Sequence, residues 1–225
     1  KAWRYLTENN IPRIIFINKM DKERAGFQKT IDNIANNLGA KVAPLCMPLG
    51  EGASLKGIVD LVDMKALVPK TDGKGVTVSD VPADVKQQAE GHRNALLELA
   101  AEGEDALIEK FLDGGDLTVE EIRRGITAQL KAAKLHPVIC GASLKSIGIR
   151  NLLNVIKAFV PPPETGREYN GHGMGDREAA KKVQCKPDQP FAGVVWKTYI
   201  DQYAGRFTYL KVVSGELLPD VEVLN

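Results

Sequence analysis

Arg13-Ile14-Ile15-Phe16-Ile17-Asn18-Lys19-Met20-Asp21 is the stretch on which the fold turns. After Pro12 the apolar run is uninterrupted, as in a central strand buried on both faces. Polarity then changes abruptly, which puts Asn18 to Asp21 in a loop at the carboxyl end of that strand. Open α/β sheets bind their ligands at that end. Phe27, Ile31, Ile34, Ala35 and Leu38 come next at helical spacing, and Gly39 suits the left-handed residue that closes a helix. The unit reads strand, loop, helix.

The same grammar returns far along the chain. Pro137-Val138-Ile139-Cys140 is a short apolar strand, Gly141-Ala142-Ser143-Leu144 a polar loop, and Leu152, Leu153, Ile156 and Phe159 one face of a helix. Between the two units the register changes at Ala40. Strands are expected at Val42 to Leu45 and Ile58 to Val62, paired antiparallel, with a turn-rich stretch from Lys70 to Gly75. A long helix carries Val85, Ala89, His92, Leu96 and Leu99 on one face, and a shorter one lies around Leu107, Ile108 and Phe111. Thr118 with Glu121 three residues on is a capping-box signature, opening a helix through Ile122, Ile126 and Leu130. Pro161-Pro162-Pro163 stops the last helix of this region, and the glycine-, charge- and proline-rich segment up to Pro190 lacks periodicity, as a linker does. Beyond it Phe191 to Tyr199, Arg206 to Val213 and Val221 to Leu224 read as successive strands of a small barrel.

The 225 residues are 44% hydrophobic and 26% charged, which are globular values and exclude a disordered or collagen-like chain. No apolar run has the roughly 18 residues of a membrane span. With 30 basic and 29 acidic residues the net charge is +1, so any contact with nucleic acid must be local. Cys46, Cys140 and Cys185 have neither CxxC spacing nor an even count, which argues against a disulfide framework or a zinc site and fits a reducing cytoplasm. The start at Lys1 and the strand pattern running to the last residues suggest a piece of a longer protein.

The chemistry lies in the two loops. Guanine carries an N1–H and a 2-amino group side by side, and one carboxylate accepts both in a pair that adenine cannot reproduce. Asp21 is the candidate carboxylate. A bidentate contact of this kind discriminates between bases by about 1–3 kcal/mol. Lys19 can lay its methylene stem along the base, and the Asn18 amide can tie neighbouring loops together or meet N7. In the second loop a backbone N–H can donate to O6, although small residues after a strand are by themselves common.

Ile14 to Asp21, Phe27 to Gly39, Leu61-Val62-Asp63-Met64-Lys65-Ala66, Val138 to Leu153 and Phe191 to Gly215 together resemble translation elongation factor G. The resemblance covers nearly the whole chain. It implies base contacts from Asn18, Lys19 and Asp21 and from Ala142, Ser143 and Leu144. It also implies an α/β fold: the C-terminal part of a P-loop GTPase-type G domain (1–39 and 134–160), an inserted α+β subdomain (40–133), a linker (161–189) and the first strands of a translation-factor β-barrel (190–225). The family's fifth motif is usually G-S-A-F, and here the two small residues are swapped. Ala142 has no hydroxyl to support Asp21, so weaker positioning and a divergent paralogue are expected, with Leu144 still able to cover the base.

The resemblance further implies GTP or GDP as ligand, with Mg2+ in the full-length factor only. It implies the ribosome as partner, through ribosomal RNA and the stalk protein, the latter by way of the helix around Glu90 to Glu102. A cytoplasmic monomer without membrane contact is implied as well. No G-x-x-x-x-G-K-[ST] loop occurs in the sequence, nor any D-x-x-G segment of the kind that senses the γ-phosphate and, in this family, carries the water-positioning histidine, and both are expected upstream of Lys1. The chain holds no catalytic residue and no metal ligand on this reading, and alone should hydrolyse little or no GTP. His92, His136 and His172 read as structural or solvated. Two rivals share parts of the pattern: a GTPase like peptide chain release factor three or the ribosomal protection factors, and a non-enzymatic module that binds the stalk protein.

Overall fold

A computed structural model describes residues 1–165, 168–173 and 176–223. The chain divides into two compact units, Lys1–Val160 and Pro161–Asn225.

The first unit is organised by a three-stranded parallel sheet of β1 (Ile15–Ile17), β7 (His136–Cys140) and β2 (Val42–Pro44), with β7 in the middle. Every residue of β7 is buried, because it is flanked on both edges. β1, read from sequence as the central strand, is instead at an edge among the described residues, and Ile15 and Phe16 are only half-buried. Its neighbour is decided by a partner more than a hundred residues away, which a local apolar run cannot specify. The antiparallel pairing expected from Val42 is likewise corrected. β2 runs parallel to β7, with Val42 opposite His136 and Pro44 opposite Val138.

Antiparallel structure begins at β3 (Cys46–Leu49), which pairs with β4 (Gly57–Asp60), then β5 (Lys65–Pro69) and β6 (Val76–Asp80) in a four-stranded meander. β5 and β6 flank the turn-rich 70–75 stretch, but alternation in β6 is masked by its exposure. Cys46 and Cys140 lie where the two sheets meet, with Sγ atoms 3.6 Å apart as buried free thiols. Burial pushes the Cys140 thiol well above its ordinary value.

α1 (Ala2–Glu8) is held to β1 by the Arg13 guanidinium, which stacks 4.3 Å over the Trp3 ring and donates to the Trp3 carbonyl. α2 (Phe27–Leu38) buries Phe27 and Ile31, and Gly39 ends it at φ 58° as expected. α3 (Ala83–Ala101) and α5 (Val119–Lys131) pack together, with Ala89, Leu96, Ile122, Ile126 and Leu130 in the core. Gly125 permits this approach, since a Cβ there would lie 2.0 Å from the Ala100 carbonyl oxygen. Arg93 Nη1 donates to the Leu61 and Val62 carbonyls at 2.8 and 2.7 Å, tying α3 to the turn after β4. The short α4 (Asp105–Leu112) and α6 (Ile149–Phe159) complete the unit.

The capping box of α5 forms on both sides: Thr118 Oγ1 accepts from Glu121 N, and Glu121 Oε2 accepts from Thr118 N at 2.8 Å. Lys110 Nζ adds an ion pair at 2.8 Å. The ammonium and the Thr118 N–H together lower the Glu121 carboxyl from its ordinary 4.5 to about 2. A depressed acid pKa contributes stability above the unfolded value that is lost as pH falls through the folded one. The thermal-stability margin of the wild type over Glu121→Gln should therefore shrink between pH 4.5 and about 2. A margin that does not change across that window would contradict the assignment.

In the second unit, β8 (Tyr169–Gly173) and β9 (Asp176–Val183) form a hairpin inside the stretch read from sequence as a linker. Main-chain pairing needs no apolar alternation, so a strand of glycine and charged residues escapes a pattern search. β10 (Ala192–Asp201) and β11 (Gly205–Ser214) form a second hairpin, on which Tyr199 stacks on Phe207 and Tyr209. The expected third strand does not appear: residues 221–223 are irregular, and Leu224 lies outside the described residues. The side chain of His172 also lies outside them.

Candidate nucleotide-base site

Ile17 is the last residue of β1, and the chain leaves the sheet at Asn18. Met20 anchors the loop that begins there. Its side chain is 1% exposed, its N–H donates to the Gly141 carbonyl at 3.0 Å, and its carbonyl accepts from Gly52 N–H at 3.0 Å. Beside the buried Met20, Lys19 is exposed and Asp21 partly covered. Lys19 takes φ 62°, a left-handed conformation that costs a lysine energy and is held by these bonds.

The second loop grows from the end of β7. Gly141 N–H donates to the Ile17 carbonyl at 3.0 Å, so the parallel ladder continues one step beyond the strands and brings the two loops side by side. Ala142 and Ile147 then exchange both backbone bonds, at 3.0 and 3.1 Å, closing residues 143–146 into a tight turn. Gly148 ends the turn at φ 77°, where a Cβ would meet the Cys140 carbonyl oxygen at 2.2 Å, so both backbone and space exclude a side chain there.

Asn18 and Ser143 clasp the loops together. Asn18 Nδ2 donates to Ser143 Oγ at 3.0 Å, and Asn18 Oδ1 accepts from Ser143 N–H at 3.0 Å and from Lys19 N–H at 2.8 Å. The hydroxyl that the swapped loop denies to Asp21 therefore serves Asn18 instead. Asp21 has a side chain 12% exposed, and its Oδ2 lies 3.6 Å from Lys145 Nζ and 3.8 Å from Lys22 Nζ. Its carboxylate thus faces the residue just after the 141–144 turn. An open recess beside it is lined by Asp21, Lys22, Glu23, Arg24, Ala53 and Lys145. Leu144 is 95% exposed at the tip of its turn, an apolar side chain with nothing over it.

Among the residues singled out from sequence, Asn18 and Ser143 are joined directly, while Lys19 and Leu144 stand exposed on the two loops. Ala142 is buried and its N–H is committed to Ile147. Lys145 was not singled out, although its place immediately after the loop was a usable signal. Glu51 and Gly52 had no local signal, because they reach the site from a different sheet.

His92 and His136 belong to neither loop. His136 is buried edge-on against Trp3, 5.1 Å between ring centroids, and burial together with the Arg13 charge holds its pKa below the usual value. His92, edge-on to Phe27, is lowered by burial. Both are core-facing rings. Among the described residues no three His, Cys, Asp or Glu side chains converge as a metal shell. No helix among them is long and apolar enough to cross a membrane.

The family model for the elongation factor Tu GTP binding domain matches residues 1–162. A crystal structure of a protein from Thermus thermophilus superposes with a TM-score of 0.76 at 24% identity, over 97% of this chain and 30% of that one. At that identity the likeness concerns the fold. The chain spans less than a third of the length of that relative.

Proposed function

Because the chain belongs to the elongation factor Tu GTP-binding domain family, we propose that it binds the base of a guanine nucleotide between the 18–21 and 141–144 loops. The observation that carries this reading is the Asn18–Ser143 clasp, with the Asp21 carboxylate turned toward the same turn. Asp21 accepts the N1–H and 2-amino hydrogens, and Lys19 and Leu144 cover the two faces of the base. The Leu144 N–H meets O6, since the N–H groups of Gly141, Ala142 and Ser143 are donated to Ile17, Ile147 and Asn18. Lys145 neutralises Asp21 when no base is bound and swings aside when one enters.

The larger protein is, on this proposal, an elongation factor G-type GTPase that hydrolyses GTP on the ribosome in the cytoplasm. Residues 1–39 and 134–160 are the G-domain part, and 190–225 open a β-barrel. Residues 40–133 are the inserted subdomain, whose first strand β2 pairs with the parallel sheet. Its helix α3 is the surface offered to the stalk protein, and ribosomal RNA is the other partner. We assign no catalytic residue, since the groups that cradle phosphates and position water do not occur in this sequence.

The test is competition. A fluorescent GDP analogue bound to the chain should be displaced by GDP at concentrations about tenfold or more below those of ADP, the ratio expected from one bidentate base contact. Equal displacement by the two would refute guanine recognition.

A further inference from the structure

The loop between β3 and β4 reaches out of the antiparallel sheet and holds the 20–27 segment at both ends. At one end Gly52 N–H donates to the Met20 carbonyl at 3.0 Å, next to Asp21. At the other, Glu51 Oε1 accepts from the Phe27 N–H at 3.0 Å. That N–H is the first of α2, one of those at a helix start that have no partner within the helix. A carboxylate there also meets the positive end of the helix dipole. Glu51 thus caps, from 24 positions away in sequence, the helix that the 18–21 loop leads into.

The clasp is itself braced. Ser54 Oγ donates to the Glu51 carbonyl at 2.8 Å and accepts from Glu51 N–H at 3.2 Å, fixing the backbone from which the carboxylate projects. Gly52 takes φ 57°, a left-handed backbone conformation that suits glycine at the approach to the loop. Ala53 lines the recess beside Asp21. Asp21 therefore sits in a short segment whose two anchor points, Met20 and Phe27, are both gripped by consecutive residues of one loop.

We propose that Glu51 is a positioning residue for guanine recognition, through which the antiparallel sheet sets the angle of the Asp21 carboxylate. The proposal rests on the assignment of Asp21 as the base-reading group. Bidentate recognition depends on carboxylate orientation far more than on loop integrity, so a loosened anchor should cost selectivity before it costs fold.

The experiment titrates the 225-residue chain with GDP and with IDP, which lacks the 2-amino group, and follows backbone amide shifts. Wild type should prefer GDP. In Glu51→Ala the preference should fall roughly tenfold, toward parity, the loss of about one charge-assisted hydrogen bond. Glu51→Gln, which keeps an acceptor at the same reach, should restore most of it. If Glu51→Ala does not fold, Glu51→Asp, which keeps the charge and shortens the reach, should show the same loss of preference. Equal weakening of GDP and IDP binding, or an unchanged preference in the variant that folds, would overturn the positioning role. A wild type that does not distinguish GDP from IDP would instead overturn the assignment of Asp21.

Discussion

Asp21→Asn should weaken guanine nucleotide binding by about ten- to a hundredfold and reverse the preference toward xanthine nucleotides. The carboxylate offers two acceptors to two adjacent hydrogens, and a pair of this kind separates cognate from wrong bases by about 1–3 kcal/mol. The amide turns one of those acceptors into a donor that faces the 2-amino group, leaving two hydrogens opposed in a half-buried site. Xanthine places a carbonyl where guanine has that amine, so the same donor finds an acceptor. The fold should be undisturbed, since the described polar contacts of the side chain are ion pairs longer than 3.5 Å with the exposed Lys22 and Lys145. Competition of GDP against XDP on wild type and variant checks the result. Equal loss for both nucleotides would mean that residue 21 acts on the loop and not on the base.

Ile139→Ala should destabilise the first unit by about 3 kcal/mol, within the usual 2–5 kcal/mol for truncating a buried isoleucine. Ile139 is 0% exposed in the central strand, opposite Phe16 of β1, with Val138 and Cys140 also fully buried beside it. Truncation there leaves a void within the buried cluster, and a strand held by hydrogen bonds to β1 and β2 on both sides can shift little to fill it. For a unit of this size each kcal/mol shifts the midpoint by about 2–4 °C, so a fall of roughly 6–12 °C is expected in a thermal melt. A change below about 1 kcal/mol would show that the strand is less tightly packed than its burial implies.

Both loops were legible because each comes after an apolar strand and before an amphipathic helix, a pattern that local sequence carries in full. Gly39 as the end of α2 and the Thr118–Glu121 box were legible for the same reason: cap chemistry is decided within four residues. Strand order was not. Val42–Pro44 is as compatible with an antiparallel neighbour as with β7, and only the distant partner decides. The β8–β9 hairpin was missed because its ladder is built from main-chain bonds beneath a polar, glycine-containing sequence. Within the site, the swap of Ala142 and Ser143 could be read, but its consequence could not. The hydroxyl moved to Asn18, a partner 125 residues distant, and only two strand ends held in register bring that about. Glu51 was invisible for a related reason, since a side-chain cap delivered from another sheet leaves no motif around the helix it serves.

Base reading by Asp21 would be decided by a crystal structure of the chain with GDP bound. The purine should lie between Lys19 and Leu144, with N1 and N2 both within about 3 Å of the Asp21 carboxylate and Lys145 displaced from it. A base bound elsewhere, or one whose N1 and N2 face solvent while Asp21 keeps its ion pair with Lys145, would refute it.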